Sequence, residues 1–161
     1  MERVLKNRSI RALILLITFM ALTQTGLATT VRVPSDVDMI IGARAIITGK
    51  VFSVGSAIDE RDNKIYTYIT VRVHEVLKGQ ITTRRIVLKE LGGTVGDRIT
   101  VIYGSPRFTR GEKVLLYLDT RNDGSLKIHQ MFLGKFDITI DPNTGQEVAV
   151  RSTPDENTTV L

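Results

Sequence analysis

From residue 44 onward, apolar and polar positions alternate with the period of a β-strand rather than that of a helix. The clearest run is "IYTYITVRV" (65–73), which sets Ile65, Ile69, Val71 and Val73 on one face. Tyr66, Tyr68, Thr70 and Arg72 fall on the other, the signature of a half-buried strand. "RAIITGKVFSV" (44–54) is β-branched, and Gly49 inside it predicts a bulge or sharp bend. "GSAIDERDNK" (55–64) reads as a polar loop. "RRIVLKEL" (84–91) and "DRITVIY" (97–103) predict strands flanking the tight turn "GGTVG". "EKVLLYLD" (112–119), almost wholly apolar, predicts a strand buried on both faces. After the turn "RNDG", "SLKIHQMF" (125–132) predicts another strand. "KFDITIDPNTGQEVAVRS" predicts a hairpin turning through Asp141–Gly145. Ahead of the strands, Ser35 or Asp36 can cap one short helix that ends near Gly42. Many short strands, little helix and frequent glycine turns predict an all-β fold, a small antiparallel OB-like barrel with one short N-terminal helix.

The amino end changes the picture of compartment. Arg3, Lys6, Arg8 and Arg11 precede an apolar run from Ala12 to Leu22, and small residues follow at Gly26 and Ala28. This is the order of a secretory signal peptide, and its apolar core falls short of the roughly 20 residues a membrane span requires. The expected organisation is a leader over 1–28 cleaved after Ala28, a barrel over 29–151 and a loose tail over 152–161. The rival reading keeps the leader as an uncleaved anchor. Cleavage leaves 133 residues, enough for one core.

Charge then matters less than it first suggests. The whole chain holds 22 basic and 17 acidic residues. Four basic and one acidic lie in the leader, leaving 18 against 16. With no dense Lys/Arg block in that remainder, a nucleic-acid footprint is not expected, nor a membrane association once the leader is gone. The chain has no cysteine. This excludes thiol catalysis, thiolate-bound zinc and disulfides, and an exported domain without disulfides suits a bacterial periplasmic or secreted protein.

Three segments together, "AIITGKVFSV", "YTYITVRVHEVLKGQ" and "GSPRFTRGEKVLLYL" with "GKFDI" downstream, carry a resemblance. They resemble the netrin-like, tissue-inhibitor-of-metalloproteinase-type OB barrel of bacterial secreted proteins, often found before a matrixin-type metalloprotease domain. The resemblance covers about residues 36 to 140. It implies an accessory barrel that docks a protein partner, a secreted protease among the candidates. Inhibitors of that type chelate zinc through an amino-terminal Cys, whereas the expected mature end here is Thr29, so that inhibitory mechanism does not carry over.

The candidate chemistry is sparse. His74-Glu75 resembles the start of a zinc-protease helix, but the second His would stand at position 78, which is Lys. Neighbouring strand residues also point to opposite faces. "LGGTVGD" (91–97) lacks the Lys and following helix of a phosphate loop. No serine sits in a nucleophile elbow, and Asp59, Glu60 and Asp62 lack the spacing of a calcium loop. No cofactor, metal site or catalytic residue is therefore expected. The candidate ligand-binding residues are the stripe Tyr66, Tyr68, Thr70 and Arg72, suited to stacking on a polysaccharide or a protein side chain. Arg107 and Phe108, with Arg110, form a second candidate on a loop. The expected function is an exported, non-catalytic interaction module, with carbohydrate binding on the Tyr66/Tyr68 face and an enzyme with an unrecognised site as alternatives.

Overall fold

The computed structural model describes residues 34–151. The expected leader with its cleavage position, and the expected tail, lie outside them. Helix α1 (Asp36–Gly42) starts as predicted: Ser35 accepts from the Asp38 amide while the Asp38 carboxylate accepts from the Ser35 amide, a complete capping box. Its other end is closed differently. No basic residue stands in the last turn. Instead Lys78, reaching from a strand, donates to the carbonyls of Ile40, Ile41 and Ala43 at 2.6, 2.8 and 2.7 Å. The lysine that stands where a second histidine would have made a zinc motif satisfies the orphan carbonyls of a helix end.

Nine strands follow: β1 (Ala45–Asp59), β2 (Lys64–Lys78), β3 (Arg85–Leu91), β4 (Gly93–Val95), β5 (Arg98–Thr100), β6 (Lys113–Thr120), β7 (Leu126–Ile128), β8 (Lys135–Ile140) and β9 (Glu147–Arg151). Seven form one sheet in the order β1-β2-β3-β7-β6-β8-β9, and a further β1–β6 pairing closes β1, β2, β3, β7 and β6 into a ring. The pairings are antiparallel except β3–β7, which is parallel and rests on the single pair Leu88–Leu126. The expected small all-β barrel is thus observed, with one α-helix among the described residues. β8 and β9 extend it as the predicted hairpin, and β4 and β5 form a separate hairpin.

Several boundaries differ from expectation. β1 continues through "GSAID" to Asp59, where the sequence reads as loop, because Gly55, Ser56 and Ala57 pair with Tyr68, Thr67 and Tyr66. β2 likewise runs on to Lys78, and both strands are 15 residues long. They bend through bulges. Thr48 pairs with Glu75 and Gly49 with Val73, which leaves His74 as the extra residue. Gly49 is required there, since a Cβ would lie 2.6 Å from the Arg72 carbonyl oxygen. The predicted strand over 125–132 shortens to β7, followed by a 3-10 turn at Met131–Gly134. That over 97–103 shortens to β5.

The barrel interior is filled by Ile47, Val51, Ile69, Val71, Leu88, Val114, Leu116, Leu118 and Ile128. The other face of β6 carries Tyr117, which packs with Met39, Ala43 and Ile46 under α1. This is the two-sided burial that its unbroken apolar run predicts.

Candidate functional site

Strand register places Tyr66, Tyr68, Thr70 and Arg72 opposite Leu91, Lys89, Val87 and Arg85 of β3. The four residues therefore share a face, as the alternation predicts. They do not share an environment. Tyr66 is only 6% exposed, so its expected role in an open stacking stripe is corrected. Its hydroxyl donates to Asp62 Oδ2 at 2.7 Å, and its ring lies under Lys89 Nζ at 4.2 Å and the Arg121 guanidinium at 5.5 Å. Tyr68 and Thr70 are half-buried, and only Arg72 is exposed.

Tyr66 belongs to a charged cluster that ties two loops, β1–β2 and β6–β7, to the barrel. Buried Lys89 donates to Asp59 Oδ2 at 2.5 Å and Asp123 Oδ2 at 2.8 Å. Asp59 and Asp123 belong to opposite ends of the fold in sequence but bracket the same ammonium. The Lys89 hydrogen bond is the main cause that holds both carboxyls below the ordinary Asp value, and Asp123 is held far below it. Reciprocally, hydrogen bonds from Asp123 and then Asp59 hold Lys89 well above its ordinary value. Two of the loop acids considered as calcium ligands, Asp59 and Asp62, are thereby engaged with protein donors. Asp59 also accepts from the Arg61 amide, and Asp62 from Tyr66 and the Lys64 amide.

Beside this cluster, Glu90 is buried and accepts from the Ile128 amide at 2.5 Å. Burial pushes its carboxyl up, opposed by that amide and by Arg121. A carboxyl with a raised folded value costs stability once pH exceeds its unfolded value. Glu90→Gln retains an oxygen for Ile128 and removes the buried charge. The variant is expected to melt higher than wild type at pH 7, with the difference closing near about pH 4. Equal melting-temperature differences at the two pH values would refute this.

Glu90 opens onto a cleft of about 330 Å³ that also contains Ser105, Asp119 and His129. These residue types invite a serine-hydrolase reading, but the geometry does not assemble one. His129 Nδ1 lies 3.6 Å from Asp119 Oδ2. Its Nε2 is turned toward Gly42 of α1, where a Cβ would lie 2.9 Å away. Among the described residues no hydrogen bond joins His129 to Ser105. Among the described residues no group of three or more His, Asp or Glu side chains is placed to hold a metal. None of the described helices is long and apolar enough to cross a membrane.

The second predicted candidate is divided. Arg107 and Phe108 line a groove of about 480 Å³ between the barrel and the β4–β5 hairpin. Phe108 is half-buried beneath Lys135 Nζ, 5.3 Å from its ring. Arg110 turns instead to Phe52 of β1, with its guanidinium 6.0 Å from the ring. Arg85 lies over the same ring at 4.9 Å. Phe52 is the extra residue of a third bulge, since Val51 pairs with Val71 and Ser53 with Thr70. That bulge, invisible without the register, leaves Phe52 exposed on the barrel wall.

An apolar ridge flanks the two clefts. Ile99, Val101 and Tyr103 occupy alternate positions of one run and are 69%, 59% and 76% exposed. Met131 stands beside the foot of this run, near Gly104. No protein-family model, curated protein or solved structure matches this chain.

Proposed function

We propose that this chain is an exported, non-catalytic interaction module, of netrin-like barrel type, that docks a secreted or envelope protein. The observation that carries the reading is the set Ile99, Val101 and Tyr103, three large exposed apolar side chains on β5 and the segment that follows it. Single exposed apolar residues are ordinary, whereas a row of them rimmed by polar groups marks a surface that another protein covers. The five-strand ring and the resemblance of "GSPRFTRGEKVLLYL" to secreted accessory barrels support the same reading. The burial of Tyr66 counts against a sugar-stacking role for the Tyr66/Tyr68 face, because stacking needs an open ring face.

The test uses the purified chain as bait for proteins of the producing cell's envelope and culture supernatant. A partner retained by the wild type is expected to be lost about tenfold or more on Ile99→Asp/Tyr103→Asp, since central apolar anchors dominate docking energy. Both positions are exposed, so the melting temperature should hold. Retention of no protein, or retention indifferent to the double substitution, would sink the proposal.

A further inference from the structure

A second surface goes beyond the docking ridge. We infer that the outer faces of β6, β1, β2 and β3 bind an extended acidic segment of a protein partner through a row of cations. Lys113 of β6 pairs in register with Lys50 of β1, Lys50 with Arg72 of β2, and Arg72 with Arg85 of β3. Residues opposed in register project from the same face. Neighbouring strands lie about 4.8 Å apart, so four cations stand abreast over roughly 15 Å. Arg110 joins them through the shared Phe52 ring.

Like charges directly opposite on neighbouring strands destabilise a sheet. Here that arrangement occurs three times in succession. Of the cations in this row, only Lys113 meets a carboxylate among the described residues, that of Glu147. Lys50, Arg72, Arg85 and Arg110 form no ion pair there, and Glu75, which lines the adjoining groove, pairs with none of them. A local rule broken repeatedly without compensation among the described residues marks a surface shaped by something outside them.

The chemistry narrows the occupant. Guanidinium forks match carboxylates in a bidentate fashion. Exposed Phe52 and Val87, 49% and 51% accessible, sit among the cations and suit apolar side chains interleaved with acidic ones. Sugars and nucleobases are held by open aromatic faces, and this surface offers no fully open one: Tyr66 is buried, Tyr68 is half-buried and the Phe52 ring is faced by Arg85 and Arg110. Alternate residues of an extended peptide lie about 6.6 Å apart, which sets two or three carboxylates along the row. Beyond Arg72 and Arg85 the row opens into a groove of about 780 Å³ that adds Arg84.

The experiment measures fluorescence anisotropy of a labelled peptide of alternating Glu and Leu, about ten residues long, against the full chain at low salt. Arg72→Glu/Arg85→Glu is expected to weaken binding about tenfold or more, whereas Lys64→Glu/Arg98→Glu, with the same change in net charge elsewhere, should change it less than about threefold. Arg85→Glu alone replaces a like-charged cross-strand pair by an opposite one and should raise the melting temperature, which separates lost binding from lost folding. No peptide binding, or equal losses in the two double variants, would overturn the inference. So would stronger binding of single-stranded DNA or sulfated dextran than of the peptide at equal charge concentration. The ridge variants leave this measurement untouched, so failure here does not bear on the ridge.

Discussion

Leu88→Ala is expected to destabilise the fold by about 3 kcal/mol and lower its melting temperature by roughly 10–15 °C, while Val87→Ala next to it costs about 0.5 kcal/mol or less. Leu88 is fully buried, and Val87 is half-exposed on the opposite face of the same strand. Removing Leu88's side chain loses its transfer energy and leaves a cavity among Ile69, Val71, Leu116 and Leu118, the close-packed interior to which it contributes. Its place in the topology adds to the effect. β3 joins β7 through the single pair Leu88–Leu126, the thinnest seam of the ring. Other large core residues, such as Leu116 on β6, stand on strands with longer ladders. Chemical denaturation of the two variants checks the prediction. A loss for Leu88→Ala no larger than that for Val87→Ala would mean that the seam is not part of the stable core.

The contrast between residues 87 and 88 is hidden in the sequence, where Ile86, Val87 and Leu88 form one apolar run. What the sequence displays best is local: period-two alternation reveals β2, and an unbroken apolar run reveals that β6 is covered on both sides. The phase slip after Val73 likewise betrays the bulge at His74. What escapes is whatever depends on pairing. "GSAID" is composed like a loop, yet it is strand because β2 lies beside it, and pairing outweighs its weak intrinsic preference. The role of Lys78 needs a helix end from residues 40–43 brought against β2. The cationic row is four unremarkable charges at positions 50, 72, 85 and 113 until the register aligns them. Tyr66 was legible as facing away from the barrel interior, but not as covered, since its cover comes from Lys89 and Arg121.

Lys89→Met is expected to cost stability of the same order as the Leu88 cavity, and to do so in a way that depends on pH. Methionine fills much of the same volume but leaves Asp59, with an exposure of 8%, and Asp123 without the ammonium that both accept from. Truncating one partner of a desolvated ion cluster is costlier than the cluster's net contribution, because the remaining charges stay behind. The sign with pH follows from the shifts. Both carboxyls are depressed in the fold, so their contribution is present above the unfolded value of about 4 and fades as pH falls through the folded values. Lys89 is raised, so its contribution is complete below about pH 10.5 and declines as pH rises beyond it. Wild type and variant should therefore differ most between about pH 5 and 10, and converge as the carboxyls become protonated in acid. Lys89→Arg retains a cation and should recover part of the loss. Thermal melts of the three proteins from neutral pH down to about pH 3 make the comparison. If the gap between wild type and Lys89→Met is the same at both ends, the side chain contributes by packing on Tyr66, and the ionic cluster is not what joins the β1–β2 and β6–β7 turns.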